Sequence, residues 1–336
     1  MGTIKEPERR ARRSAFGLLT VIGAINWDVS IFEDSFAQLG EEVAVRDVEE
    51  FSGGKGANVA VAAARMLGKG RAAIIGALGS DELGRRQLRE LKMEGVATDG
   101  VVTIHGARSG RAYILVNREG RKSIHSDFAA NALVTASHLE MAGPARILSK
   151  TSMLVVMDPP TDVALAAVER AQKSGARIIY SPGVRVREKW DTLARITEMS
   201  DFLVLDKAEL VKLSGRTDVV RASEYLQRAS PRLTVVATSG KRGCVVVSKG
   251  GTSRLGGVDL SPLGMRVVNS TGSGDAFLGV LASFLSWGYS ETEAARWANL
   301  AGALKATRYE TRGSPTRSLL QGTMKLLSGK AGNWSE

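Results

Sequence analysis

Apolar runs of four to eight residues recur along most of this chain, separated by stretches whose apolar positions repeat every three or four residues. The runs at 18–25, 71–77, 151–157, 176–180, 202–205, 233–238 and 243–248 are short and rich in Val, Ile and Leu, so they predict strands buried on both faces. The periodic stretches at 57–67, 81–94, 162–174, 207–213 and 219–229 predict helices. Strand–helix alternation of this sort implies an α/β fold, a mostly parallel central sheet between two helical layers. Beyond residue 275 the pattern turns wholly helical, over 276–287, 291–307 and 315–327.

Two segments break the rhythm, 42–50 and 111–126. Both alternate apolar and polar residues, as in Ala112-Tyr-Ile-Leu-Val116, and the second is interrupted by the turn Arg118-Glu-Gly120. Alternation means one wet face. We read these segments as a small accessory β-sheet placed to cover a site as a lid.

The chemistry begins at Asn269-Ser-Thr-Gly-Ser-Gly-Asp-Ala-Phe277, which runs into an apolar stretch predicted to be a buried helix. A helix N-terminus offers unpaired N–H donors and the positive end of a dipole. Gly272, Ser273 and Gly274 are therefore a candidate phosphate cradle. A carboxylate beside a phosphate is repulsive, unless Asp275 takes a proton from a hydroxyl about to attack that phosphate. On the loop alone, an ordinary acidic first turn explains Asp275 equally well. Neither common phosphate motif fits: around Gly54-Lys55 the P-loop's first glycine is Glu49 and its hydroxyl residue Gly56, while Phe277 replaces the third glycine of the dinucleotide fingerprint.

A second constellation lies at Phe51-Ser-Gly-Gly-Lys-Gly-Ala-Asn58, just before a predicted helix. Asn26 and Asp28 follow the first predicted strand, where open α/β sheets place ligands. With Lys55 and Asn58 they supply the donors and carboxylate acceptors that a polyol needs. Each has an ordinary alternative when taken singly: a turn, a solvated loop acid, a surface charge, a first-turn residue.

Composition narrows the classes. The net charge is +11, and residues 1–16 hold five Lys/Arg against two Glu. Residues 1–17 read as a basic flexible tail ahead of one domain over 18–330. Aromatic residues are only 5%, with no helix-turn-helix, zinc or RNA-binding signature, so a nucleic-acid partner is not expected. A positive field that draws in phosphorylated small molecules is the simpler account. No stretch approaches 18 apolar residues, so no membrane span is expected. The single cysteine, Cys244, excludes an internal disulfide and fits a reducing, cytoplasmic setting; its apolar surroundings make it a buried strand residue.

Taken together, Gly53-Gly-Lys-Gly-Ala-Asn58, Thr271-Gly-Ser-Gly-Asp275 and the lid-like Gly110-Arg-Ala-Tyr-Ile-Leu-Val-Asn117 with Ala130-Asn131 resemble the ribokinase or phosphofructokinase-B-type carbohydrate kinases, from about Leu18 to Leu327. The resemblance implies a ribokinase-like three-layer αβα sandwich with a β-sheet lid. It implies transfer of a terminal phosphoryl from a Mg2+-nucleotide, ATP with ADP as the alternative, to a sugar hydroxymethyl. Asp275 would be the general base, and Gly272, Ser273 and Gly274 the anion hole. Asn26, Asp28, Gly54, Lys55, Asn58 and Asp158 would hold the sugar, with Ala112 and Ile114 as apolar lid contacts. Asp206, Thr238, Gly240, Gly243 and Asn299 would meet the nucleotide, and Glu209 would act indirectly on magnesium. Asn269 stands where ribokinases have an Asp serving a monovalent cation, which puts a K+ requirement in question. Asp158 replaces a Glu, and Tyr180-Ser-Pro-Gly departs from the ribokinase Asn-Pro-Ala-Pro, so the acceptor is less defined than the chemistry. A nucleoside kinase on the same fold is the alternative, which Lys55 disfavours by crowding the space of a base. A sugar-sensing binder has no use for Asp275. An exposed lid edge further implies a homodimer.

Overall fold

The computed structural model describes residues 17–330, Lys189 excepted; the basic tail at 1–16 lies outside the described residues. In chain order its strands are β1 (Leu18–Gly23), β2 (Asn26–Glu33), β3 (Val45–Gly53), β4 (Ala72–Gly79), β5 (Ala97–Ile104), β6 (Gly110–Val116) and β7 (Lys122–Asp127). There follow β8 (Thr151–Met157), β9 (Arg177–Ser181), β10 (Phe202–Asp206), β11 (Thr234–Thr238), β12 (Cys244–Ser248) and β13 (Gly251–Leu255). Nine of them form one sheet in the order β13-β12-β11-β10-β9-β8-β1-β4-β5; the other four form a second sheet, β3-β2-β6-β7. Within the large sheet only β12 runs against the common strand direction.

The expected three layers are present. Strand β4 is buried at every position, as a central parallel strand covered on both faces must be. Along β8, Met153, Val155 and Met157 face one layer, with helices Lys55–Leu67, Ser273–Ser286 and Glu291–Ala306. Leu154 and Val156 face the other, with helices Thr161–Lys173, Trp190–Glu198 and Val219–Ala229. Helix Ser273–Ser286 is buried from Asp275 through Leu285, in keeping with a sequence apolar on all sides. No helix among the described residues is long and apolar enough to cross a membrane.

The first strand required a correction. The apolar run predicts 18–25, but β1 ends at Gly23 and the chain passes through Ala24-Ile25 into the small sheet. Asn26 and Asp28 thus lie on the lid strand β2, not in a loop of the large sheet. Asn131 makes the corner possible: its Oδ1 accepts from the Ile25 N–H at 2.9 Å, and its Nδ2 donates to the Ile25 carbonyl at 3.1 Å and to Asn26 Oδ1 at 2.9 Å. Polar groups that the change of sheet would orphan are thereby satisfied.

The lid otherwise occupies the expected segments, with β2 as the strand that the sequence pattern concealed. Its register sets Asp28 beside Ala112 and Ser30 beside Ile114. Its outer strands β3 and β7 have no further neighbour among the described residues, which is the feature behind the homodimer expectation. Strands β5 and β13 and helices Ala142–Leu148 and Trp190–Glu198 were also not predicted. Both strands are sheet edges with polar, glycine-containing sequences, and the first of those helices is seven residues long.

Helices Lys55–Leu67 and Ser273–Ser286 approach closely at Gly279, where an added Cβ would stand 2.5 Å from Ala62 Cβ and 2.7 Å from the Val59 carbonyl oxygen. Gly279→Ala should therefore destabilise the protein by about 1–3 kcal/mol despite alanine's better helix propensity. Urea unfolding measures this, and an unchanged or higher midpoint would contradict the close approach.

Candidate active site

Gly272 adopts a left-handed conformation, φ 81°, immediately before helix Ser273–Ser286. A side chain there would also collide with the Thr311 carbonyl oxygen, so the position is closed to other residues. The Ser273 N–H turns back to the Ser270 carbonyl at 3.2 Å, and the Ala276 N–H to Gly272 at 2.9 Å. Among the described residues the N–H groups of Gly272, Gly274 and Asp275 are left without a protein partner. In the expected 272–274 trio Asp275 thus takes the place of Ser273 as an N–H donor, and Ser273 offers its buried, unpartnered Oγ.

This turn separates two cavities. One, of ≈ 310 Å³, is bounded by Asn26, Asp28, Gly54, Lys55, Asn58 and Asp158, with Ala112 and Ile114 of the lid above. The other, of ≈ 790 Å³, includes Thr238, Gly240, Gly243 and Asn299. Gly272 and Asp275 border the first, Ser273 and Gly274 the second, and Ser270 both. Of the expected nucleotide contacts, Asp206 borders neither cavity. It caps helix Lys207–Ser214, accepting from the Glu209 N–H at 2.8 Å while Glu209 Oε2 accepts from the Asp206 N–H at 2.9 Å. The Asp-x-x-Glu segment is thus a capping box.

The acceptor-side charges are buried and linked. Asn58 Nδ2 donates to Asp275 Oδ2 at 2.9 Å, and Oδ1 is not engaged by that bond. Burial pushes the Asp275 carboxyl above its ordinary value, opposed by that hydrogen bond and by Lys55. Asp28, 4% exposed, is pushed up to about 6, again by burial first, with Thr311 and Arg312 pulling it down. Lys55 Nζ pairs with Asp158 Oδ2 at 2.9 Å. Burial alone would lower the Lys55 pKa, but the Asp158 charge outweighs it and raises it. Asp158 itself sits at the end of β8 with φ 44°, an unfavourable conformation for a residue with a side chain. Glu209, half-buried, is raised to about 7 by desolvation and by Asp206.

A family model described as "pfkB family carbohydrate kinase" matches residues 17–317. The chain belongs to that family of kinases. It is 29% identical over 306 residues to a ribokinase of Haemophilus influenzae, covering 89% of this chain and 95% of the relative. A nucleoside kinase of Burkholderia thailandensis, solved with inosine, superposes with a TM-score of 0.79 at 20% identity, covering 93% and 97% of the two chains. A putative ribokinase II of E. coli, solved with ATP and Mg2+, gives 0.77 at 19% identity, covering 92% and 99%.

Two side chains around this site, Arg312 and Lys305, went unnoticed in the sequence, and Asn131 was noted there only as part of the lid-like motif, without its place at the lid corner. Arg312, 7% exposed, donates to the Gly53 carbonyl at 2.8 Å, to Gln87 Oε1 at 3.2 Å and to Asn58 Oδ1 at 3.3 Å, tying the turn at 311–314 to the first signature loop. Burial lowers its pKa to about 10. Lys305, wholly buried, donates to the Asn269 carbonyl at 2.8 Å and to that of Arg308 at 3.3 Å; burial and Lys122 push it down to about 8. Asn269, considered for a monovalent cation, has its Oδ1 bonded to the Thr271 N–H at 2.9 Å and its Nδ2 to the Tyr309 carbonyl at 2.8 Å. Arg312 carried one usable signal, an arginine in the turn Thr311-Arg-Gly-Ser314 between two helices. Lys305 carried none, since it reads as a surface charge near a helix end.

Arg312→Met should cost about 2–5 kcal/mol, because it strips three acceptors of a charged donor and leaves Asp28 buried without a nearby cation. Arg312→Lys should recover little of this, since an ammonium cannot span the three acceptors. Denaturant unfolding of both variants checks it; a Met variant within 0.5 kcal/mol of wild type, roughly the level of a surface change, would refute it.

Proposed function

We propose that this chain phosphorylates a hydroxymethyl group of a sugar, ribose or a related carbohydrate, using ATP. The observation that carries the reading is the placement of one carboxylate, Asp275, on the acceptor side of a turn whose unpaired N–H groups border both cavities. With Oδ2 held by Asn58, Oδ1 accepts the hydroxyl proton as the oxygen attacks in line. The raised pKa of Asp275 suits that task, bringing the base nearer to neutral pH. The N–H groups of Gly272, Gly274 and Asp275 stabilise charge on the transferred group. Asn26, Asp28, Lys55, Asn58 and Asp158 position the acceptor, and Ala112 and Ile114 exclude water above it.

No group of three or more His, Cys, Asp or Glu side chains among the described residues is arranged to hold a metal. That donor set fits a magnesium ion that arrives on the nucleotide and keeps phosphate and water ligands, with Glu209 acting through its water shell. When bound, the ion supplies neutralisation of the phosphate charge. Potassium is left out of the reading because Lys305 already takes the Asn269 carbonyl.

A nucleoside acceptor is the second reading, supported by the likeness in fold to the inosine-binding kinase. The ≈ 310 Å³ of the acceptor cavity favours a monosaccharide, since it lies at the small end for ligand sites. A coupled phosphorylation screen of pentoses, hexoses and nucleosides, each with ATP and with ADP, decides between them. Turnover with nucleosides and no free sugar would reverse the order. Asp275→Asn should lower kcat by at least about 100-fold with acceptor affinity nearly kept; near-normal turnover would remove Asp275 as the base. Because Asp28 titrates at about 6 and Asp275 is also raised, kcat/KM for the acceptor should fall as pH drops through about 6. A profile flat down to pH 5, roughly one unit below that value, would show that neither carboxylate is needed ionised.

A further inference from the structure

The tip of the lid reaches the phosphate cradle. Strands β6 and β7 form a hairpin whose last pair is Val116 with Lys122. From there Lys122 Nζ lies 3.3 Å from Asn269 Oδ1, 3.1 Å from Ser270 Oγ and 2.5 Å from Thr271 Oγ1. All three partners are neutral. The half-buried ammonium has no carboxylate in ion-pair contact among the described residues, and burial alone accounts for its lowered pKa. Desolvating a cation without an anionic partner is costly. The arrangement is productive when a negative group enters between Lys122 and the N–H groups of the turn.

The position also follows the strand's alternation. Lys122, Ile124 and Ser126 share the face of β7 that borders the acceptor cavity, together with Asp275. The lysine is thus on the acceptor side of the cradle, at its rim, over residues 269–271. On the opposite side of that loop Lys305 fixes the backbone, bound only to carbonyl oxygens and wholly buried. The two lysines therefore differ in role: Lys305 positions the loop, and Lys122 is the one whose charge faces a cavity.

We propose that Lys122 is a further catalytic residue, a cation borne by the lid that contacts the phosphoryl group in transfer and supplies charge stabilisation only while the lid is down. This rests on the phosphotransferase reading above. Charge in such a transfer spreads over the equatorial oxygens, which the turn's N–H groups reach from one side. An ammonium on the lid meets them from the other and leaves with the product when the lid lifts. Hydrolysis in an open site would lack that charge, so the device also ties turnover to closure over an acceptor.

The test uses Lys122→Met and Lys122→Arg in the full chain, with the best acceptor found for the wild type. Lys122→Met should lower kcat by about 100- to 1,000-fold, the effect of losing one such stabilising group, while acceptor KM moves less than about threefold. Lys122→Arg should recover at least about tenfold of the loss, since the cation is kept. A second readout needs no turnover: binding of MgADP with and without aluminium fluoride, which mimics the group in flight. The fluoride should tighten ADP binding in the wild type and not in Lys122→Met, with ADP alone bound equally by both. An unchanged kcat, a change confined to KM, or equal loss of ADP binding without fluoride would each overturn the proposal. If the wild type phosphorylates no acceptor, the functional reading fails by itself, and the fluoride arm still judges Lys122.

Discussion

The site depends on two helices that meet at Asn58 and Asp275, residues 217 apart in sequence. Their contact is set by small residues: Gly279 on one helix lies against Ala62 and the Val59 carbonyl on the other. Packing at that distance fixes where both N-termini point, and the two signature loops are those N-termini. Asn58 then holds one carboxylate oxygen of Asp275, so the proposed base is oriented by the same contact that unites the loops. A larger residue anywhere along this seam would separate acceptor site and phosphate cradle together.

Burial gives the site its electrostatic character. Asp28 and Asp275 are carboxylates raised by desolvation, while Arg312 and Lys305 are cations lowered by it. Each charge is tolerated through hydrogen bonds more than through close ion pairs, apart from Lys55 with Asp158. Arg312 contacts Gly53, Gln87 and Asn58, and Lys305 contacts two carbonyls, so both act as cross-links between loops. The interior thus holds polar groups whose service is geometric, with the proposed base Asp275 placed among them.

Much of this was legible in the sequence, and the remainder was hidden for physical reasons. Strands such as β8 and β11 declare themselves because both faces are buried, and helix Ser273–Ser286 because it is apolar all round. The glycine loops declare themselves because close backbone approach restricts residue choice. Strand β5 does not, since an edge strand keeps Thr98, Asp99 and Gly100 within it. The passage from β1 to β2 was invisible because apolar residues continue through Ile25 while the chain changes sheets. Arg312 and Lys305, and the bonds that Asn131 makes, escape local reading because the partners lie 105 or more residues away, or in a loop whose position only packing defines. Asp206 and Glu209 look like chemistry in one dimension, and in three they also form a helix cap.

The two-residue passage at Ala24-Ile25 has a mechanical corollary. It divides the proposed acceptor-holding groups between two sheets: Asn26 and Asp28 ride on the small one, while Lys55 and Asn58 belong to a helix seated on the large one. A polyol bonded to both sets is a strut across the joint, shortening the freedom of the flap to swing. The same hydroxyls that identify the guest therefore also measure whether the door is shut. A molecule too short to touch both leaves would occupy the cavity and still leave the joint loose.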